Sequence, residues 1–210
     1  MKGIPVFFKE RNYLDDLMLD VAHQGIAALT EMFVYSKLDD LIKNSVNDKN
    51  HALLLAADHI TDEGNLGAII RTAAFFGAHG LLIPKDRSAA VTERVLKRSS
   101  GAYIHLPISR VVNMGSALDR LNKAGLWIIG ASSESGEKIN NFDWNRDAVL
   151  IMGSEDRGLT HSVKKRCHQM VFIPGSGKVE SLNVSVACGI ILSEISRQRN
   201  SLTNREIKTK

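Results

Sequence analysis

The 210-residue sequence predicts an α/β protein, a mostly parallel sheet with helices on both faces. Three observations carry that reading. Apolar runs such as Ala52–Ala57 and Ala148–Met152 are continuous rather than alternating, as strands buried on both faces require. Stretches of helical period separate these runs. The first such run, the helix after it and Gly80–Ile83 have the spacing of a βαβ unit, which demands parallel strands and a right-handed crossover.

Taken in order, Ile4–Phe8 reads as a short strand and Tyr13–Ala22 as a short helix with Leu14, Leu17 and Met18 on one face. Together they are too small to bury a core. Leu38–Asn50 is amphipathic and then polar, so residues 1–50 read as an attachment with its linker. After the strand at 52–57, a helix from about Leu66 to Phe76 turns Leu66, Ile69, Ile70, Ala73 and Phe76 to the sheet, and Gly77 ends it. Arg71 lies off that apolar stripe. Pro84–Ala90 and Lys97–Ala102 flank a short helix that displays Arg94, Lys97 and Arg98, a soluble charged face or a phosphate-contacting one. A helix over Met114–Lys123 closes at Gly125, Leu126–Gly130 is a strand, and Ala131–Gly136 is a polar loop at its carboxyl end.

Val171–Ile173 is a strand that Pro174 ends, and Gly175 and Gly177 then permit a sharp bend. From Val184 a helix carries Ala187, Ile191 and Ile195 on one stripe, with Val186 and Ile190 beside it. Ser181 and Asn183, both capping residue types, stand just before that helix. A bend with open amides between a strand end and a helix start is where open α/β sheets bind ligands. Beyond Asn200 the chain is polar without periodicity, so residues 201–210 read as a frayed tail.

Composition narrows the function. With 44% hydrophobic and 24% charged residues the chain is of ordinary globular type, and no apolar run approaches the ~20 residues that span a bilayer. Cys167 and Cys188 are too few for a disulfide framework, which fits a reducing cytoplasm, and no His-Glu-x-x-His spacing or other metal site is expected. A net charge of +4 and a pI near 9.1 favour anionic partners such as RNA. Gly-Ser-Gly-Lys at 175–178 is not a P-loop: Val179 replaces the Mg²⁺-binding hydroxyl and Phe172 the first glycine.

Three segments then carry a resemblance. Asp58-(x)₆-Asn65-Leu-Gly67-(x)₃-Arg71-x-Ala73-(x)₃-Gly77, Gly153-Ser-Glu155-Asp-Arg-Gly158-Leu, and Ile173-Pro-Gly-Ser-Gly-Lys-Val-Glu-Ser-Leu-Asn-Val-Ser-Val-Ala187 resemble the signatures of the SpoU (TrmH) family of RNA ribose 2′-O-methyltransferases, in the SPOUT superfamily. Glu63 and Gly175 depart from it, standing where the family often has Pro and Met. Residues 84–102 look most like the branch that methylates guanosine in ribosomal RNA. His23–Ala28 resembles the segment that closes an N-terminal ribosomal-protein-like RNA-binding domain, so residues 1–50 would be a remnant of that domain plus linker.

The resemblance implies a domain over residues 51–200 with a deep C-terminal trefoil knot, S-adenosylmethionine as cofactor, a homodimer, and an RNA substrate. The alternatives are tRNA as substrate, or an RNA-binding protein of the same fold without catalysis. By match to the motifs, Arg71 would meet the reacting hydroxyl, with Glu155, Ser181 and Asn183 positioning it and Asn65 supporting the site. Backbone groups at Gly153, Ile173 and Leu182, with the Ala131 loop, would hold the cofactor, and Gly153 would leave room for its edge. A guanidinium keeps its proton to a pKa above ~12, so Arg71 is better read as a donor to phosphate and developing alkoxide than as a base.

Overall fold

Seven strands form one sheet in the order β3-β2-β1-β6-β4-β7-β5, and every neighbouring pair is parallel. In chain order the elements are α1 (Arg11–Leu17), α2 (Leu38–Val46), β1 (Leu53–Asp58), α3 (Glu63–Phe75), β2 (Gly80–Pro84), α4 (Glu93–Arg98), β3 (Ile108–Val111), α5 (Met114–Lys123), β4 (Trp127–Ser132), β5 (Glu137–Lys138), β6 (Ala148–Gly153), α6 (His161–Lys164), β7 (Gln169–Phe172) and α7 (Val184–Ile207). A 3₁₀ turn covers Ala102–His105. The computed structural model describes residues 3, 5–19, 23–46 and 51–207, with side chains to Asn200.

The chain divides into two units, Met1–Val34 and Tyr35–Lys210. In the first, α1 begins two residues before the expected helix and ends at Leu17, while the expected stretch Asp20–Ala22 lies outside the described residues. Residues 5–8 form no strand, and Ile4 lies outside the described residues. An apolar run without a neighbouring strand has nothing to complete its ladder. His23 is a turn residue: its Nε2 meets Asp15 Oδ1 at 2.8 Å and its Nδ1 accepts from Gly25 N at 2.9 Å.

In the second unit burial on both sheet faces explains the unbroken apolar runs, since all six residues of β1 are buried. One face packs Leu54, Ala56, Leu82, Ile128, Val149 and Ile151 against Leu41 of α2, Ala117, Leu118 and Leu121 of α5, and Val163 of α6. Thus α2 belongs to the sheet domain, although it was expected in a linker; residues 47–50 lie outside the described residues. On the other face α3 packs on α4, α7 and β2, and α7 on β6. The buried stripe of α7 is Val184, Cys188, Ile191, Leu192 and Ile195, so Ala187 sits at its margin, while Val186 and Ile190 are exposed.

Several boundaries differ from the sequence reading. Helix α3 starts at Glu63 because the Asp62 side chain accepts from Asn65 N and caps it. β4 runs on to Ser132, placing Ala131 in a strand opposite Val171 rather than in a loop. β7 covers Gln169–Phe172, leaving Ile173 just beyond it. The short strands β3 and β5 have no apolar run to announce them. Helix α7 continues to Ile207, past the point where polar composition suggests a tail.

Near its end α7 is tied to the opposite edge of the sheet. Arg199 Nε donates to Trp144 O (3.1 Å), Nη1 to His51 O (2.8 Å), and Nη2 to Arg146 O (2.9 Å) and Ala52 O (3.3 Å). Burial lowers the pKa of this guanidinium, against the opposing pull of Asp147.

Candidate active site

All strands being parallel, their carboxyl ends share one edge, and β1 and β6 end in register with Asp58 beside Gly153. The three sequence signatures leave the sheet at this edge. In the first, the Asp62 cap (Oδ1 to Asn65 N, 2.7 Å) fixes Asn65 in the opening turn of α3. In the second, paired backbone bonds between Ser154 and Gly158 at 3.2 and 2.9 Å close a tight turn that carries Glu155. In the third, Asn183 caps α7, its Oδ1 accepting from Ser185 N at 3.0 Å and Val186 N at 3.3 Å.

These turns converge on one carboxylate oxygen. Glu155 Oε1 accepts from Asn65 Nδ2 (3.1 Å), Asn183 Nδ2 (2.6 Å) and Val184 N (3.2 Å). Asn183 Nδ2 also donates to Asn65 Oδ1 at 2.9 Å, so the three side chains form a closed ring of hydrogen bonds. A carboxylate at the amino end of α7 is further favoured by the helix dipole. Glu155 Oε2 has no partner among the described residues, which leaves it as the ring's open acceptor.

Arg71 stands outside this ring. Its exposed side chain projects from α3 and donates from Nη1 to Ser100 Oγ at 3.1 Å. Ser181 is exposed and makes no hydrogen bond among the described residues. Two candidate capping residues stand before α7, and Asn183 takes the role because it directly precedes Val184.

The four positions expected to hold a cofactor lie at neighbouring strand ends. Ala131 is near the end of β4, Gly153 ends β6, Ile173 follows β7, and β6, β4 and β7 are adjacent in the sheet. Leu182 is 48% exposed at the end of the loop from β7 to α7. Among the described residues no backbone N–H from Gly175 to Leu182 donates to a protein group, so that loop offers a row of open amides, as a backbone-bound cofactor needs. Gly153 also has a structural part. A Cβ there would come within 2.3 Å of Gly158 C and 2.5 Å of Leu159 N, so its missing side chain makes room for the protein's own Glu155 turn. Burial pushes the Cys167 thiol up to about 11 and Cys188 to about 12, and neither is a nucleophile at neutral pH.

Sequence reasoning missed Ser100, which contacts Arg71, and the Asp62 cap. The spacing from Asp62 to Asn65 was a legible capping signal; nothing local announces the Ser100 contact.

Both the sequence and the fold are similar to those of known proteins. The profile of the SpoU rRNA Methylase family matches residues 52–193. The Bacillus subtilis protein YacO, which carries the name of a TrmH family tRNA/rRNA methyltransferase, is 38% identical over 199 residues, covering 95% of this chain and 80% of YacO. An uncharacterized tRNA/rRNA methyltransferase of Mycolicibacterium vanbaalenii is 41% identical over 95% of this chain, which spans 64% of that protein's length. Among solved structures, the SpoU methyltransferase AviRb from Streptomyces viridochromogenes in complex with AdoMet superposes with a TM-score of 0.71 at 31% identity, over 80% of this chain and 66% of that one. The AdoMet-bound rRNA methyltransferase from Sinorhizobium meliloti gives 0.69 at 28% identity, over 78% and 61%.

Proposed function

The chain belongs to the SpoU rRNA methylase family, and from that premise we propose that it transfers a methyl group from S-adenosylmethionine to a ribose 2′-hydroxyl of structured RNA, with guanosine in ribosomal RNA as the favoured target. The observation that carries the reading is the ring of Asn65, Glu155 and Asn183, which gathers side chains from three separate signatures at one sheet edge.

The cofactor, when bound, supplies an electrophilic methyl group on a sulfonium. The backbone around Ala131, Gly153, Ile173 and Leu182 would hold it, using the open amides of the 175–182 loop. The protein's own part is to place the hydroxyl and manage charge. Arg71, a fixed cation on an exposed helix face, grips the phosphate beside the target ribose and stabilises the negative charge that develops on its oxygen. Glu155 Oε2 accepts a hydrogen bond from the ribose, while Asn65 and Asn183 lock the carboxylate through Oε1. Ser181, exposed in the same loop, is assigned a positioning role toward the substrate.

We place the methyltransferase domain at residues 51–200, joined by α2, and read the N-terminal stretch as the end of an RNA-binding domain with its linker. The same reading includes a deep trefoil knot at the C-terminal end of the domain. It also includes a homodimer through α7 and action in the cytoplasm, where Cys167 and Cys188 stay as free thiols.

Mapping ribose methylation in ribosomal and transfer RNA from a strain lacking the gene tests the proposal. Loss of one ribosomal guanosine mark, restored by the wild-type chain, is the expected result. A lost transfer-RNA mark would redirect the substrate, and an unchanged map with intact RNA binding would make the chain a non-catalytic binder.

A further inference from the structure

We propose that Ser100 is a positioning residue for methyl transfer, holding the Arg71 guanidinium at the reacting site through its hydroxyl. The inference rests on the reading of Arg71 given above and deepens it.

The geometry begins one helical turn earlier. A Cβ on Gly67 would lie 2.5 Å from Arg98 Cβ and 3.1 Å from Val95 O, so α3 and α4 meet backbone to backbone there. Arg71 follows Gly67 by four residues and therefore shares its face of α3. That face comes down on the turn that ends α4. The turn is tightly made: Ser99 is fully buried with its Oγ donating to Leu96 O at 2.7 Å, and Ser100 N donates to Lys97 O at 3.1 Å. On its far side Ala102 N returns to Ser99 O at 3.1 Å.

Within this turn Ser100 has φ +51 and Gly101 φ +81. A serine in the left-handed region is a local cost that glycine would remove. What serine adds at that position is its hydroxyl, and the hydroxyl accepts from Arg71 Nη1 at 3.1 Å. This is the one side-chain hydrogen bond of Arg71 among the described residues. A long, exposed arginine otherwise samples many rotamers, and a fixed acceptor on a rigid turn selects among them. The same turn ends the helix bearing Lys97 and Arg98, so Arg71 is held in register with that basic face.

The test uses three substitutions with cofactor and RNA both saturating. Ser100→Ala removes the acceptor and keeps the backbone cost, Ser100→Gly removes both, and Ser100→Asn keeps an acceptor in a residue that tolerates positive φ. The proposal expects Ala and Gly to lower single-turnover methyl transfer by about tenfold, the scale of a hydrogen bond to a charged group. Gly should nevertheless melt at or above the wild-type temperature, and Asn should recover most of the rate. Placed in an Arg71→Lys background, Ser100→Gly should have little further effect. A purely structural Ser100 predicts the opposite: a wild-type rate in Ser100→Gly, or losses that simply add to those of Arg71→Lys. Either result overturns the proposal while leaving Arg71 in its role. A silent Arg71→Lys would overturn the reading of the site itself, and the proposal with it.

Discussion

The Asn183 side-chain amide donates to Glu155 Oε1 at 2.6 Å, the shortest link in a ring whose members stand far apart in sequence. Only one oxygen of that carboxylate is consumed. Glu155→Gln keeps an acceptor for Asn65, Asn183 and Val184 N but replaces the open oxygen with a neutral amide NH2, a donor that cannot accept. We expect the melting temperature to shift by only a few degrees and methyl transfer to fall at least tenfold, roughly what a lost charge-assisted hydrogen bond costs. Melting curves and single-turnover rates on the same protein check both halves.

Arg71→Lys keeps charge and helix propensity but loses the planar fork. Removing one preorganised donor to developing charge typically costs ~3 kcal/mol, so the single-turnover rate should fall roughly 100-fold. Cofactor affinity by calorimetry should be unchanged. A rate within a few-fold of wild type would make Arg71 an ordinary surface residue.

Gly153→Ala probes the fold rather than the cofactor. Its Cβ would collide with Gly158 C at 2.3 Å, a backbone atom with no rotamer to give way. Overpacking of this kind costs ~1–3 kcal/mol or more. Denaturant midpoints should drop, and any loss of S-adenosylmethionine binding should track displacement of the Glu155 turn. A variant of full stability that fails to bind cofactor would refute this account.

Arg199→Met removes the donors that bind four carbonyls at the far edge of the sheet. Leaving such acceptors unpaired should cost about 2–3 kcal/mol. The urea midpoint should fall without a change in slope, and cofactor affinity at the opposite edge should hold.

The Glu194 carboxyl is held below the ordinary glutamate range, chiefly by its hydrogen bond to Arg197 and also by Gln198. A carboxylate with a depressed folded pKa stabilises above its unfolded pKa, and that contribution is lost as pH falls through the folded value. Glu194→Gln should therefore melt below wild type at neutral pH and converge with it in acid. A gap that stays constant with pH would exclude this linkage.

The sheet's centre was legible because β1, β2 and β6 are buried on both faces and spell it in unbroken apolar residues. The edge strands were not: β3 includes Ser109 and Arg110, and β5 is two residues long. The insertion of β7 between β4 and β5 is a long-range event with no local pattern. At the candidate site, the motifs single out Asn65, Glu155 and Asn183 one by one, and their mutual contacts come from the register of β1 and β6 and the packing of α7. Ser181 and Asn183 look alike as capping residues, and only the start of α7 separates them. The Ser100 contact escapes because it joins a helix face to a turn in a rare backbone conformation.

The ring at Glu155 also has a direction in time. Asn65 and Glu155 leave the ribosome well before Asn183 and Val184, which supply two of the three donors to the carboxylate. A chain interrupted before residue 183 lacks both those donors and the whole of α7, whose Cys188, Ile191, Leu192 and Ile195 are buried in the folded protein. The carboxylate of Glu155 therefore has its full set of donors only in a chain synthesised through the start of α7.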